Sequence, residues 1–245
     1  MIDLNKLKVK IFLDTANLQT IKTSLQKYPF IKGFTTNPSL MHKEGVRNYK
    51  QYCNEALRIS SNLPISFEVF SDDIKKMEDE ARIINSWGGN SYVKIPITNT
   101  KGISTKEVIN NLNKDGMKLN VTAIFTVEQV LEIMNCFDNS TNAIISVFAG
   151  RIADSGVDPM ETMIKCSEVI SSKKNVELLW ASSREILNIF QAEKTNSQII
   201  TIAPEILDKI KFLNKDLNEF SLETVNDFFK DAKSAGFNIL KKVPQ

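Results

Sequence analysis

The 245-residue chain has a single histidine, His42, which excludes a multi-histidine metal site and leaves a Ser-His-Asp triad only that residue to use. Its three cysteines, Cys53, Cys136 and Cys166, are odd in number, far apart and set in helix-like sequence, so they read as reduced, packed thiols. No GxGxxG or Walker sequence appears, and the signatures of nucleotide-binding folds go with them. Long apolar runs are missing as well: the opening MIDLNKLKVKIFLD alternates charge with apolar residues, unlike a signal peptide or a membrane anchor. Lys and Arg total 31 against 29 Asp and Glu, too even a balance to argue for nucleic acid or an anionic membrane as partner. The expectation is a cytoplasmic protein with neither of those partners. No Gly-, Pro- or Ser-rich stretch is long enough to be a linker, so one domain over residues 1–245 is expected.

What is present is an alternation. Short β-branched or aromatic runs (VKIFLD, IKGFTTN, PISFEVF, SYVKIPI, MKLNVTAIF, NAIISVFA, VELLWAS, QIITIA) are each followed by amphipathic, helix-like sequence. About eight βα units in a chain of this length predict an α/β fold, a single (β/α)8 TIM barrel. An extra amphipathic helix is expected at about 222–240, where Leu222, Phe228 and Phe229 need something to cover.

Side chains of a strand alternate between two faces, so each run can be sorted by parity. Ser66 and Glu68 oppose Ile65, Phe67 and Val69; Tyr92 and Lys94 oppose Val93 and Ile95; Asn120 and Thr122 oppose Leu119, Val121 and Ala123. Phe12 pairs with Asp14, Gly33 with Thr35 and Asn37, Ser146 with Phe148, and Trp180 with Ser182. Singly these have bland readings: Asn37 before Pro38, Asp14 and Ser182 as helix N-caps, Phe148 as core, a strand-end lysine as a solvated rim residue. Together, Asp14, Asn37, Glu68, Lys94, Asn120, Thr122 and Ser146 converge late in their strands, at the C-terminal mouth where barrel active sites lie.

A lysine among apolar residues is desolvated, and a neutral amine attacks a ketone. Glu68, working through a water and the Thr122 hydroxyl, is placed to move the protons of imine formation. Asp14 is the candidate second carboxylate, taking a proton from a sugar hydroxyl as a carbon–carbon bond breaks. Asn37, Asn120 and Ser146 could hold the hydroxyls of the resulting enamine. Arg151 and Arg184, with Ser182, suit a phosphate, and Arg184 is expected in the first turn of the next helix, where the dipole favours an anion.

FLDTA at 12–16, GFTTNPSL at 33–40, SFEVF at 66–70, VKIP at 93–96, LNVTAIFT at 119–126, SVFAGRIAD at 146–154 and WASSRE at 180–185 occur in an order that resembles the transaldolases and the short fructose-6-phosphate aldolases. The resemblance covers nearly the whole chain. It implies the barrel, Lys94 as the Schiff-base lysine, Asp14 as acid/base at bond cleavage, and Glu68 with Thr122 on the catalytic water. It further implies Asn37, Asn120 and Ser146 around the ketol, and Arg151, Ser182 and Arg184 on the phosphate; Phe148, on the same strand face as Ser146, is expected to border the enamine. Sugar phosphates of the pentose phosphate pathway would be the substrates, with no cofactor and no metal. Compact members of the family often assemble as decamers, so a homo-oligomer is implied. The aldolases usually carry Gln where this chain has Glu68 and Tyr where it has Phe148, so both positions side with transaldolase. An aldolase releasing free dihydroxyacetone, a transaldolase for a nonstandard sugar phosphate and a sugar-phosphate-binding protein without turnover are the alternatives.

Overall fold

Each of the eight apolar runs forms a strand: β1 (Lys10–Asp14), β2 (Ile31–Thr35), β3 (Ile65–Glu68), β4 (Ser91–Pro96), β5 (Leu119–Ile124), β6 (Ala143–Val147), β7 (Val176–Trp180) and β8 (Ile199–Ile202). All pair in parallel in sequence order, and β8 returns to β1 to close the barrel expected from the sequence. The computed structural model describes residues 3–239. They fall into two compact units, Asp3–Asp208 and a C-terminal unit from Lys209.

The barrel strands are buried on both faces, as parallel strands under crossover helices must be. Outward residues such as Leu13, Phe34, Phe67, Val93, Val121, Val147 and Ile202 are fully covered, each contributing about 1.5–3 kcal/mol by its burial. The covering helices are α1 (Leu18–Lys27), α2 (Pro38–Lys43), α3 (Tyr49–Ile59), α4 (Ile74–Ser86), α5 (Lys106–Lys114), α6 (Val127–Ile133), α7 (Ala149–Asp154), α8 (Pro159–Ile170), α9 (Leu187–Lys194) and α10 (Pro204–Leu207). Side-chain caps start several of them: Asn17, Asn37, Asn48, Asp73, Thr126 and Asp158 each accept from a backbone N–H of the first turn. Asp14 is therefore no N-cap, because Asn17 has that role for α1.

Inside the barrel, Phe12, Tyr92, Ile144, Leu179, Ala181 and Ile199 form an apolar floor. Its packing explains Gly33, where a Cβ would sit 2.5 Å from the Phe12 ring. The floor also corrects one parity assignment. On β7 the inward residues are Leu179 and Ala181, so Trp180 lies on the opposite face. Ser182 still reaches the mouth because the strand has ended and its φ is +63°.

The C-terminal unit contains α11 (Leu217–Ser234). It starts five residues before the expected 222, because Asp216 caps it by accepting from Asn218 and Glu219 N–H. It ends at Ser234, short of 240, because Gly236 just beyond has a φ of +70° that cannot continue a helix, and residue 240 lies outside the described residues. Phe212 and Phe220 stack, centroids 5.2 Å apart, with the Lys215 ammonium 4.4 Å from the Phe220 ring centre. Phe228 and Phe229 are 69% and 68% exposed. Among the described residues no helix is long and apolar enough to cross a membrane.

Candidate active site

Above the apolar floor the barrel opens into a cavity of about 510 Å³ at the C-terminal ends of the strands. Nine of the eleven residues singled out by sequence line it: Asp14, Asn37, Glu68, Lys94, Thr122, Ser146, Phe148, Arg151 and Ser182. Asn120 is fully buried beneath, and Arg184 stands outside the lining.

Parallel register sets the central row, with Glu68 opposite Lys94 and Lys94 opposite Asn120. Lys94 is 7% exposed. Its Nζ lies 3.1 Å from Glu68 Oε2 and donates to the carbonyl oxygen of Thr36 at 3.0 Å. The neighbours of this amine are thus a carboxylate and a backbone carbonyl, rather than the apolar shell its flanking residues suggested. Those flanking residues, Val93 and Ile95, point outward under the helices.

Beside this pair runs a second chain of hydrogen bonds. Ser146 Oγ donates to Asn120 Oδ1 at 2.7 Å, and Asn120 Nδ2 donates to Ser66 Oγ at 2.9 Å. Both functional ends of the Asn120 amide are thereby oriented. Asn37 combines its two readings: its Oδ1 caps α2 by accepting from Leu40 N–H at 2.9 Å, and it lines the cavity.

Asp14 accepts from Thr35 Oγ1 at 2.7 Å. Burial raises its carboxyl above the usual aspartate range; the Lys94 charge and the Thr35 hydrogen bond pull it down, and Glu68 pushes it up. Thr35 is on the inward face by parity, and it lines the cavity. Thr201 also lines the cavity, on the inward face that the alternation in QIITIA gives it with Ile199. Ser39 and Lys43 of α2 also line the cavity and carried no strand-parity signal.

On β5 the register slips between Val121 and Ile124, a bulge that places Thr122 and Ala123 against a single position of β6. Ala123 therefore joins Thr122 in the cavity lining instead of opposing it, and it adopts a φ of +59°. An alanine held in the left-handed region costs about 1–2 kcal/mol, strain of the kind that collects at functional sites. Thr122 Oγ1 is buried without a hydrogen-bond partner, which leaves its donor and acceptor to a bound molecule.

The cationic side is built by α7. A Cβ on Gly150 would lie 1.5 Å from the carbonyl oxygen of Ser182, so only glycine lets α7 meet the loop after β7 this closely. Gly150 N–H donates to Ala181 O at 3.2 Å. Arg151 lies over the Phe148 ring, 5.5 Å from its centre, and Phe125 packs on that ring at 5.7 Å. Arg184 is not in a helical turn. Asn188 Oδ1 accepts from the N–H groups of Arg184 and Glu185, and α9 begins only at Leu187, so the helix-dipole argument for Arg184 fails. Its guanidinium pairs with Asp154 and donates to Ser182 Oγ at 3.0 Å.

These motifs can be set against known proteins. The family profile described as Transaldolase/Fructose-6-phosphate aldolase matches residues 11–243. The chain belongs to this family. Relatives named "Probable transaldolase" are 34% identical over 203 residues in Dehalococcoides mccartyi (81% of this chain, 88% of the relative) and 34% over 225 residues in Nitrosopumilus maritimus (91% and 94%). One from Streptococcus pyogenes serotype M5 is 36% identical over 203 residues, 82% of this chain and 90% of the relative. Among solved structures, orotidine 5'-monophosphate decarboxylase from Sulfolobus solfataricus superposes with a TM-score of 0.52 at 12% identity, covering 91% of this chain and 98% of that one. That likeness shows the barrel alone.

The raised Asp14 carboxyl has a consequence for stability. Between the unfolded value and the raised folded one, the native state binds more protons, so stability falls as pH rises through that window and the deficit persists above it. Asp14→Asn keeps an acceptor for Thr35 and removes the charge. It should stabilise the protein at pH 7 by roughly 1 kcal/mol, about 2–4 °C in Tm, and the gain should vanish as pH approaches 4. Thermal unfolding from pH 4 to 8 checks this; a loss of stability at pH 7 would contradict it.

Proposed function

We propose that the protein is a transaldolase that moves a dihydroxyacetone unit from a ketose phosphate to an aldose phosphate through an imine on Lys94. The observation that carries this reading is the buried Lys94 Nζ in the cavity, 3.1 Å from Glu68. At that separation the carboxylate can take the ammonium proton directly and free the amine to add to the ketose carbonyl. Glu68 and the Thr122 hydroxyl then return protons to the carbinolamine oxygen, which leaves as water. Asp14 takes the proton of the hydroxyl carried by the departing carbon of the bond to be broken, and that carbon becomes the aldehyde. That bond breaks, its electron pair passes into the enamine on Lys94, and the aldose phosphate departs. An incoming aldose phosphate reverses these steps.

Asn37, Asn120 and Ser146 would hold the hydroxyls of the three-carbon unit. Arg151 and Ser182 would face the phosphate, with Arg184 supporting Ser182 from behind and adding positive charge. Phe148 would border the enamine with an apolar ring that gives water no hydrogen-bonding partner there, which favours transfer over hydrolysis. Borohydride reduction in the presence of a ketose phosphate should attach a three-carbon unit to Lys94, and peptide mapping reads the site. A label elsewhere, or none, defeats the mechanism.

The assembly is a separate proposal: a second copy of the chain covers the exposed apolar residues of α11. Phe228→Ser with Phe229→Ser should lower the mass measured by light scattering while the barrel keeps its circular dichroism. An unchanged mass would contradict it.

A further inference from the structure

Thr35 Oγ1 carries one proton and has two close oxygen neighbours, Asp14 Oδ1 at 2.7 Å and Thr201 Oγ1 at 2.6 Å. An ionised carboxylate can only accept, so the Thr35 proton goes to Asp14. The contact with Thr201 must then run the other way, with the Thr201 hydroxyl donating to Thr35. The fold makes this possible because β1, which carries Asp14, lies between β2 and β8, which carry Thr35 and Thr201. Both threonines are buried, at 3% and 6% exposure, so solvent competes little for these bonds.

We propose that Thr201 and Thr35 form a directional hydrogen-bond wire across β1 that holds the Asp14 carboxylate ionised and aimed at the substrate, making Thr201 a positioning residue for Asp14. Each bond in such a chain polarises the next, so the hydroxyl of Thr201 strengthens the bond from Thr35 to the carboxylate. The wire opposes the largest influence on Asp14, which is burial. The other charged groups facing Asp14 are Lys94 from β4, which favours the carboxylate, and Glu68 from β3, which opposes it. The role given to Asp14 in bond cleavage rests on the Schiff-base reading; the wire itself does not.

Thr201→Val removes the hydroxyl and keeps the shape. In the ligand-free protein, the carboxyl carbon of Asp14, followed by carbon-13 NMR, should titrate at higher pH in Thr201→Val than in the wild type, and Thr201→Ser should restore the wild-type midpoint. An unchanged midpoint overturns the wire. In turnover, kcat/KM of Thr201→Val should lose about two- to tenfold more at pH 5 than at pH 8, because less Asp14 is ionised, and Thr201→Ser should recover the profile. A pH-independent loss would show that Thr201 only packs. Thr201→Ala gives the same two readouts should the valine variant fail to fold. A shifted midpoint without borohydride labelling of Lys94 would uphold the wire and overturn the Schiff-base reading instead.

Discussion

An ammonium held at 7% exposure inside a barrel has to be neutralised where it sits, and Glu68 does this from 3.1 Å away. Removing either partner of a buried pair costs about 3–5 kcal/mol, so the two side chains fix each other's positions. The rest of the mouth is arranged around them. The Thr36 carbonyl oxygen accepts a hydrogen bond from Lys94 Nζ, and the Thr36 hydroxyl donates to Ser66 O, tying the end of β2 to β3. Tyr49 OH donates to the Glu68 carbonyl and steadies that strand end from the outside. Below, the Phe12 ring fills the axis against Gly33 and closes the barrel floor.

Much of this was legible in the sequence, for a specific reason. Parallel strands buried on both faces have to be apolar, so a Lys, Glu, Asn or Asp placed inward stands out against them. Parity therefore found Asp14, Glu68, Lys94, Asn120 and Ser146. It failed where alternation is broken by the backbone: at the β5 bulge, which swings Ala123 into the lining, and at Trp180 and Ser182, where the strand stops. Flanking residues were also a poor guide to the surroundings of Lys94. Its partners come from β3 and from the end of β2, and only register brings them together. Thr201 looked like one more β-branched residue in an apolar strand, and its hydroxyl gains meaning only once β8 closes against β1.

The cationic side shows what sequence spacing alone cannot settle. Arg151 and Arg184 follow adjacent strands, yet one lines the cavity and the other pairs with Asp154 behind Ser182. Their separation follows from Asn188, which holds the chain at Arg184 and Glu185 out of the helix, and from Gly150, which brings α7 against Ser182. Of the two arginines only Arg151 therefore faces the cavity, beside Ser182. The Phe148 ring beneath Arg151 sets an apolar surface directly beside that cation in the cavity lining.

Transfer requires that the three-carbon fragment stay on the protein until an aldehyde arrives. The most direct measurement is product analysis with carbon-13-labelled ketose phosphate, in the presence and absence of an aldose phosphate acceptor. With acceptor, the label should appear in a new ketose phosphate. Without it, aldose phosphate release should stop near one equivalent per active site, with little free dihydroxyacetone. Rapid, acceptor-independent release of dihydroxyacetone would contradict the account and make the protein an aldolase.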